Sequence, residues 1–377
     1  MVSFYFPPNY SGSAMQALNL SRYLRRFSVE PFIVTARFGD APAHEVMDGI
    51  DVYRLPIMTN PGLQVPSFML SLAWFLLRRR HTYDVIHAHG TLQHGMVSLA
   101  GRLAKKPSLL KVAMANSDIA FGRQGRLLGP LNRFMVSRFD RYIATTSAIA
   151  AEFAAQSLDT SRVREIPNGV DTDRYRPATV AEREAICREL GLPEGPLVTF
   201  VGIISARKNV DGILRMFQAA VGEGAPGHLL LIGPLPADDD PFYRSAREFV
   251  TAHGLRGRVT FVGQVADVHR YLRVSEIFVF PSRQEGMPNA VLEAMASGLA
   301  CLVSRGSGSD GIVSDGYDGM SRALDDERGF VGVLRQLLEC PDMRHEIGKN
   351  ARATIEDRFS LVRIAAAYRR LYEELVH

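Results

Sequence analysis

The feature that most constrains the fold is an alternation of short apolar runs with amphipathic stretches, which occurs twice along the 377-residue chain. Such alternation is typical of β-α-β units, in which helices join parallel strands. The first series extends to about Glu165 and the second begins at Leu197, with turn residues at 167–171 and a polar stretch to Pro196 between them. The sequence therefore predicts an α/β protein of two doubly wound, Rossmann-like domains, at residues 1–170 and 190–359.

Composition limits the class of protein further. Hydrophobic residues make up 46% and charged residues 22% of the chain, values that exclude a dominantly disordered protein. The three cysteines have neither a disulfide nor a metal-ligand spacing, so we expect a reducing compartment and a cytoplasmic protein. The first residues lack the pattern of a signal peptide, and the longest apolar run, residues 69–77, is far shorter than the ~20 residues of a membrane span.

Charge is divided unevenly between the two halves. Residues 1–165 contain 19 Lys and Arg against 11 Asp and Glu, whereas residues 166–377 contain 25 against 29. The basic first half predicts an anionic partner. Nucleic acid is not expected, because no nucleic-acid motif is present and the basic residues are not interleaved with aromatic ones. An anionic membrane surface or a phosphorylated acceptor fits this charge better.

The residues with the clearest chemistry follow a predicted strand at 277–280. Glu285 and Gly286 lie at its carboxyl end, Pro288 suits the first turn of the next helix, and Gly298 suits its end. The free N–H groups of the helix start, around Met287, would bind an anion. Glu285 and Glu293 would repel phosphate and should accept hydrogen bonds from hydroxyls. This combination suits a sugar nucleotide, although for these residues alone a loop glutamate and a solvated helical glutamate remain an alternative.

Glu285 and Glu293, separated by seven residues in EGMPNAVLEAMASG, resemble the E-x7-E motif of the retaining glycosyltransferases of family 4. Further motifs extend the resemblance over nearly the whole chain. They are the glycine-bearing loop at residues 6–13 (FPPNYSGS), the strand at 84–90 (DVIHAHG), the linker at 166–177 (IPNGVDTDRYRP), and the sequence VG at 201–202 followed by RKN at 207–209.

The resemblance implies a fold, a reaction and a set of site residues. The fold would be GT-B, with two Rossmann-like domains facing across a cleft and a C-terminal helix, residues 360–377, crossing back to the first domain. The reaction would be transfer of a sugar from a nucleoside diphosphate sugar to a glycan, lipid-linked or polysaccharide acceptor, without a metal or other cofactor.

Individual roles are implied by the same resemblance. Lys208 and Arg207 would neutralise the diphosphate leaving group, Glu285 would bind the donor sugar, and Glu293 would bind the ribose hydroxyls. Backbone groups would complete the donor site, at Gly12, Ser13, Gly202, Gly286, Met287, Pro288 and Asn289.

The chain departs from the family pattern at three places. Ile203 replaces an arginine that many members have, and Arg207 is the candidate substitute. The acceptor-side loop has Asn116-Ser117-Asp118 where many members have a histidine, and Asp118 is our candidate catalytic residue there. The family also has several residues before the position of Val2, so either the start is late or the first strand is truncated. A sugar-nucleotide epimerase and a non-catalytic sugar-nucleotide-binding relative therefore stay open as alternative functions.

Other motifs have simpler interpretations. Residues 306–311 form a G-x-G-x-x-G, but glycines interrupt the next segment, so we predict a loop lining the sugar site. Asp238–Asp240 precede a predicted helix at Pro241, and we interpret them as helix capping and predict no metal. His87 and His89 lie on one face of a strand, and core packing or cleft lining is favoured over a metal pair.

Two interpretations of the basic first half remain open. Arginines at 78–80 and along residues 123–141 favour a peripheral protein on the inner membrane face. The alternative is a soluble enzyme whose basic face attracts nucleotide sugars.

Overall fold

A computed structural model describes residues 1–9, 12–90, 95–112, 114, 119, 121, 125–222 and 224–377. The chain forms two compact units. The first comprises Met1–Gly169 together with Leu361–His377, and the second comprises Val170–Ser360.

The first unit is a mainly parallel α/β structure. Its strands are β1 (Ile33–Ala36), β2 (His44–Met47), β3 (Ile50–Leu55), β4 (Ile86–His89), β5 (Ser108–Val112), β6 (Arg141–Ala144) and β7 (Val163–Glu165). They are ordered β1-β3-β2 and β4-β5-β6-β7, and only the β2–β3 pair is antiparallel among the described strands. Its helices are α1 (Gly12–Leu24), α2 (Pro61–Arg78), α3 (Gly95–Ala104), α4 (Gly125–Val136), α5 (Ser147–Ala155) and the C-terminal helix Leu361–Val376.

The apolar sequence of residues 2–6 predicts a first strand, which is much shorter in the structure. Val2 alone forms parallel bridges, to Val34 on one side and to Ala88 on the other. These bridges join β1 to β4, so Val2 lies between them, where a central strand of the sheet would run. Hydrogen bonds to β1 continue as far as Phe4, whose carbonyl accepts from the Ala36 N–H at 3.3 Å, but residues 3–6 form no β-bridge, so the apolar pattern overestimates the strand.

The C-terminal helix packs on α1 in the first unit. Its buried face includes Ile364 and Tyr368, which share an apolar cluster with Leu20 of α1. The Gln16 side chain of α1 also donates to the carbonyl of Gly169 and accepts from its N–H, at 2.9 and 3.3 Å. The last residue of the first unit before the chain enters the second is therefore fixed against α1.

His87 is a buried part of this packing and belongs to the core, as one of the sequence interpretations held. Its Nδ1 lies 2.8 Å from the Tyr372 hydroxyl of the C-terminal helix, and its ring contacts that of His89 at 4.1 Å between centroids. Burial, with additional repulsion from Lys111 and the amino terminus, holds the pKa of His87 well below 6.5. The folded chain thus keeps this imidazole neutral.

Acid is therefore expected to weaken the first unit through His87. Below pH ~6.5 the unfolded chain binds a proton at this position while the folded chain does not, so stability falls as pH falls towards the folded pKa. The loss is about 1.4 kcal/mol for each pH unit between the two pKa values. Melting temperatures between pH 7.5 and 5 should drop more for the wild type than for His87→Asn. Parallel pH dependence in both proteins would contradict this prediction.

The second unit contains one parallel sheet of six strands. They are β8 (Leu197–Val201), β9 (His228–Ile232), β10 (Val259–Gly263), β11 (Ile277–Phe280), β12 (Ala300–Ser304) and β13 (Met320–Arg322), in the order β10-β9-β8-β11-β12-β13. The helices are α6 (Val180–Leu190), α7 (Val210–Val221), α8 (Pro241–Ala252), α9 (Val268–Val274), α10 (Asn289–Ala296), α11 (Glu327–Glu339) and α12 (Pro341–Arg358). The C-terminal helix of the first unit is α13. Central strands β8 and β11 are rich in apolar side chains inside the core, as parallel strands covered on both faces should be.

The stretch predicted as a linker belongs to the second unit. It contains α6, which begins with a capping box formed by Thr179 and Glu182 and ends at Gly191 in a left-handed conformation. The Arg352 guanidinium of α12 donates to the carbonyls of Thr172 and Tyr175 and so fixes the start of this stretch. These capping and arginine contacts explain why a polar, proline-containing sequence is ordered here.

None of the described helices has the length and apolar character needed to cross a membrane.

Candidate functional site

Two loops of the second unit meet because their strands are neighbours in the sheet. β8 leads to a short 3-10 turn at Ala206–Lys208, and β11 leads to the loop before α10. Since β8 and β11 pair in parallel, both loops leave the same carboxyl edge of the sheet. This edge is the usual place for ligands in open parallel α/β sheets.

Glu285 receives three donors at one carboxylate oxygen. Its Oε1 lies 2.7 Å from Lys208 Nζ, 2.8 Å from an Arg207 guanidinium nitrogen and 2.6 Å from the Ser282 hydroxyl. The side chains of Lys208 and Glu285 are only 11% and 12% exposed, whereas that of Arg207 is 46% exposed. Two cations and one carboxylate therefore leave a net positive charge at this edge, with Arg207 as its solvent-facing part.

Two opposing effects act on the pKa of the Lys208 ammonium group. Burial lowers its pKa below the usual value, and Glu285 partly counteracts this by stabilising the charged form. The Nζ also lies 4.7 Å from the centre of the Phe280 ring, in cation–π contact. Lys208 is thus a weakly hydrated cation, and electrostatic interactions with an incoming anion are stronger in such surroundings than in water.

Backbone hydrogen bonds lock the two loops together. The Arg283 N–H donates to the Arg207 carbonyl at 3.1 Å, and the Arg207 guanidinium donates to the Gln284 carbonyl at 2.9 Å. The Arg283 side chain adds a bond to the carbonyl of Ala206 at 3.2 Å. The relative positions of Lys208 and Glu285 are therefore set by the main chain as well as by their own contact.

The start of α10 lies four residues after Glu285. Pro288 has extended backbone and lies just before the helix, which begins at Asn289, one residue later than the first-turn proline we predicted. The N-terminal end of a helix carries partial positive charge, so this start places the positive end of the α10 dipole next to Gly286 and Met287. Gly298 ends the segment with φ at +79°, as predicted for a residue following the helix.

Glu293 lies in the middle of α10 and is paired with residues to which the sequence assigned no role. Its carboxylate accepts a hydrogen bond from the Tyr175 side chain and is attracted by Arg174. Burial outweighs both effects and raises the pKa of Glu293 to about 7. A carboxyl group of this kind can act as either acceptor or donor toward hydroxyl groups near neutral pH.

Arg174 and Tyr175 reach Glu293 through a turn organised by Asp171. One Asp171 carboxylate oxygen accepts from the backbone N–H groups of Asp173 and Arg174, at 3.1 and 3.0 Å. Asp171 belongs to the linker motif at residues 166–177. The motif indicated a turn, but the partner of Tyr175, 118 positions further along, was not readable from it.

The loop at residues 306–311 packs against the Glu285 loop. It is a turn structure without helix, as predicted. Gly308, with φ at +81°, lies so close that a Cβ there would be 2.3 Å from the Gly286 carbonyl oxygen. Ser304 adds a hydrogen bond to the Ser282 carbonyl at 2.7 Å. The glycine-rich sequence thus serves close packing of one loop on another.

Gly308→Ala is therefore expected to displace the Glu285–Gly286 loop and to weaken binding of the sugar nucleotide that the sequence motifs imply by about tenfold or more, since a side chain cannot fit against the rigid main chain. Gly311→Ala is a matched control, because Gly311 also has positive φ, at +84°, but no atom lies within 4 Å of the corresponding Cβ. Both substitutions place alanine at a similar positive φ, but only the one at Gly308 also introduces a steric clash. Equal nucleotide affinities of the two variants, measured by calorimetry, would contradict the role of close packing.

The remaining predicted residues lie elsewhere or are not described. Gly202 follows β8 and lies at the same edge of the sheet as Lys208. Its N–H donates a hydrogen bond to the Ile232 carbonyl at 2.9 Å. Gly12 and Ser13 open α1 in the first unit. Asp118 and its neighbours Asn116 and Ser117 lie outside the described residues.

The aspartates at 238–240 precede a helix start, as predicted. Asp240 accepts from the Tyr243 N–H at 3.0 Å and caps α8. Within the described part of the chain, no group of three or more His, Cys, Asp or Glu residues could hold a metal ion.

Ser282 and Arg283 were not predicted from the sequence, although they precede Glu285 closely. Serine and arginine are common in surface loops, so their types carried no signal. Their position immediately after a buried strand, beside the two candidate residues, is the feature that could have identified them.

Comparisons with known proteins cover both units. Residues 10–174 match the family described as Glycosyltransferase Family 4, and residues 182–354 match the family described as Glycosyl transferases group 1. Together these matches account for most of the chain.

Curated relatives of similar length share low identity with it. The UDP-Gal:alpha-D-GlcNAc-diphosphoundecaprenol alpha-1,3-galactosyltransferase of Escherichia coli is 23% identical over 87% of this chain and 85% of its own length. The N-acetyl-alpha-D-glucosaminyl L-malate synthase of Bacillus anthracis is 21% identical over 98% of this chain and 95% of its own length.

A solved structure confirms the predicted fold. Anabaena Alr3699/HepE, crystallised in complex with UDP, superposes with a TM-score of 0.81 over 99% of both chains at 17% identity. The two α/β units therefore form the GT-B fold that the sequence motifs implied.

Proposed function

We propose that this chain, whose two units match the families described as Glycosyltransferase Family 4 and Glycosyl transferases group 1, is a glycosyltransferase that transfers a sugar from a nucleoside diphosphate sugar with retention at the anomeric carbon. The observation that carries the proposal is the contact of Lys208, Arg207 and Ser282 with a single oxygen of Glu285, beside the start of α10. UDP sugars are the first donors to test, because HepE was crystallised with UDP and the Escherichia coli relative is named for UDP-Gal.

The cations and helix start would bind the diphosphate. When the bond between the anomeric carbon and the phosphate oxygen breaks, negative charge develops on the diphosphate, and Lys208, Arg207 and the N–H groups near Gly286–Asn289 would stabilise it. These groups supply positive charge without a metal ion, which supports the proposal that none is needed. Gly202 would allow the donor to approach the main chain.

The two glutamates would bind hydroxyl groups of the donor. Glu285 is oriented through one oxygen by three donors, so its carboxylate could accept from hydroxyls of the sugar. Glu293 would bind the ribose hydroxyls, with Tyr175 fixing the orientation of its carboxylate. The partly protonated state that results from a pKa of about 7 permits hydrogen bonds in both directions.

The same contacts favour attack from the side of the leaving group. A carboxylate that accepts from Lys208, Arg207 and Ser282 is a weak nucleophile, so a covalent intermediate on Glu285 is disfavoured. The acceptor oxygen would instead bond to the anomeric carbon on the face that the diphosphate leaves, and the acceptor proton would pass to the departing phosphate oxygen. Asp118 stays a candidate for orienting the acceptor.

The acceptor would be a glycan, polysaccharide or lipid-linked sugar. The Escherichia coli relative is named for a diphosphoundecaprenol acceptor, and the basic first half of this chain suits an anionic or phosphorylated acceptor. A cytoplasmic protein peripheral to the inner membrane face would meet such acceptors.

Incubation of the purified protein with UDP-glucose, UDP-galactose and UDP-N-acetylglucosamine, each with and without a panel of acceptors, tests the proposal. Mass spectrometry should detect a glycosylated acceptor, NMR should show a retained anomeric configuration, and EDTA should leave the rate unchanged. Epimerised donor without acceptor, or bound donor without transfer to any acceptor, would overturn glycosyl transfer. Loss of activity in EDTA would overturn metal independence alone.

A further inference from the structure

Helix α2 is apolar on both sides. Its inward face buries Phe68 and Leu72, while Leu63, Leu70 and Trp74 on the opposite side are 43%, 69% and 63% exposed. The spacing of seven and four residues places these three on one stripe, which we name the outer stripe. A surface helix normally presents polar side chains outward, so an apolar outer stripe indicates a second contact surface.

The neighbouring helices extend this surface. α3 packs against both α2 and α4. Leu103 of α3 is 71% exposed, and Leu131 and Phe134 of α4 are 52% and 49% exposed. Among the described residues, these three helices thus carry six of the fifteen exposed large hydrophobic side chains.

Charge identifies what kind of partner fits. Residues 61–139 contain eleven Lys and Arg against two Asp. Five exposed cations lie at or beside the C-terminal ends of the same three helices and form what we name the basic rim: Arg78, Arg80, Arg102, Lys105 and Arg133. These helix ends share one edge of the unit, because each helix leads into one of the parallel strands β4, β5 and β6.

Direct contacts connect the rim with the apolar side chains. The Arg78 guanidinium lies 5.4 Å from the centre of the Trp74 ring, and Arg102 Nε donates to the Arg138 carbonyl at 3.3 Å, which joins the ends of α3 and α4. Arg79 is different, because its guanidinium covers the rings of Tyr53 and Phe75 at 4.5 and 5.1 Å. Of the three consecutive arginines, Arg79 therefore serves packing, and Arg78 and Arg80 are available to a partner.

We propose that the outer stripe and the basic rim bind the surface of an anionic lipid bilayer. Tryptophan and leucine side chains enter the boundary between headgroups and acyl chains, while arginine and lysine pair with anionic headgroups. This surface would bring the enzyme to a lipid-linked acceptor, and in that respect the inference rests on the proposed function.

Trp74 is the single tryptophan of the chain, so its fluorescence reports binding directly. The full-length protein should float with vesicles containing phosphatidylglycerol, and its emission should shift to shorter wavelength. Vesicles of phosphatidylcholine alone should bind at least tenfold more weakly, and added salt should weaken binding to the anionic vesicles.

Paired substitutions separate the apolar from the charged contribution. Leu70→Ser with Trp74→Ser, and Arg78→Gln with Arg80→Gln, should each lower flotation affinity roughly tenfold or more. Matched control pairs in the second unit, Val180→Ser with Tyr317→Ser and Arg244→Gln with Arg328→Gln, replace exposed side chains of the same kinds and should leave it unchanged. Circular dichroism and melting temperature verify that each variant is folded.

The outcomes distinguish this inference from the proposed function. The proposal that the outer stripe and the basic rim bind a bilayer would be overturned if the protein did not float at low salt. It would also be overturned if either substituted pair floated as the wild type does. The first of these results is the one expected if the outer stripe binds a protein instead. Nucleotide binding and transfer to a water-soluble acceptor are measured on the same samples. A protein that floats but neither binds nor transfers a sugar nucleotide would overturn the proposed function alone.

Discussion

Lys208→Ala is expected to lower the rate of sugar transfer by roughly a hundredfold or more, about 2.7 kcal/mol of transition-state stabilisation. The ammonium is buried, lies 2.7 Å from Glu285 and is the less hydrated of the two cations at this edge. Such a charge stabilises the diphosphate most when the bond to the sugar breaks. Steady-state kinetics should therefore show a loss in kcat that exceeds the change in KM.

Lys349→Ala provides the control, because Lys349 is an exposed lysine on α12 of the same unit. Its kinetics should match those of the wild type. Removing Lys208 also leaves Glu285 with Arg207 and Ser282 as partners, so the variant should remain folded, as a melting curve would verify. Undiminished kcat in folded Lys208→Ala would eliminate this residue as the group that stabilises the leaving diphosphate.

Arg352→Ala is expected to lower the free energy of unfolding of the second unit by about 2–4 kcal/mol. The guanidinium donates to the carbonyls of Tyr175 and Ala296, both at 2.7 Å, and to that of Thr172 at 3.1 Å. It thereby joins the segment that carries Tyr175 to the end of α10. Alanine would leave these carbonyls without a charged donor, and nucleotide affinity should fall as well, because Tyr175 orients Glu293.

Arg369→Ala is a closely matched control. Arg369 Nε lies 2.8 Å from Glu373, four residues further on its helix, just as Arg352 Nε lies 2.6 Å from Glu356. An exposed ion pair of this kind contributes about 0.3–0.5 kcal/mol, so Arg369→Ala should change little. If urea unfolding gave similar losses in the free energy of unfolding for both variants, the hydrogen bonds from Arg352 to the three carbonyls would not contribute to stability beyond the ion pair.

The alternation of apolar and amphipathic segments was sufficient to predict two parallel α/β units and the edge at which Lys208 and Glu285 lie. Both residues follow strands that are mostly or entirely apolar, and parallel neighbours end at the same edge. The capping of α8 by Asp240 and the turn at Gly306–Gly311 were also predictable, because side-chain capping and glycine conformation depend on nearby residues.

Segments whose order depends on distant contacts were mispredicted. The apolar residues 2–6 suggested a strand, but among them only Val2 forms β-bridges, and these bridges depend on the distant residues Val34 and Ala88. The polar stretch before Pro196 suggested a linker, yet it contains α6 and belongs to the second unit.

By itself, the sequence determined which residues come after each strand and therefore which side chains are available at the binding edge. The tertiary structure decided which of them meet: Ser282 with Glu285, Tyr175 with Glu293, His87 with Tyr372. It also decided that the outer stripe of α2 is exposed while Arg79 is engaged in packing. The physical reason is that periodicity and capping act over a few residues, whereas a hydrogen bond between residues 118 or 285 positions apart depends on how whole strands and helices pack.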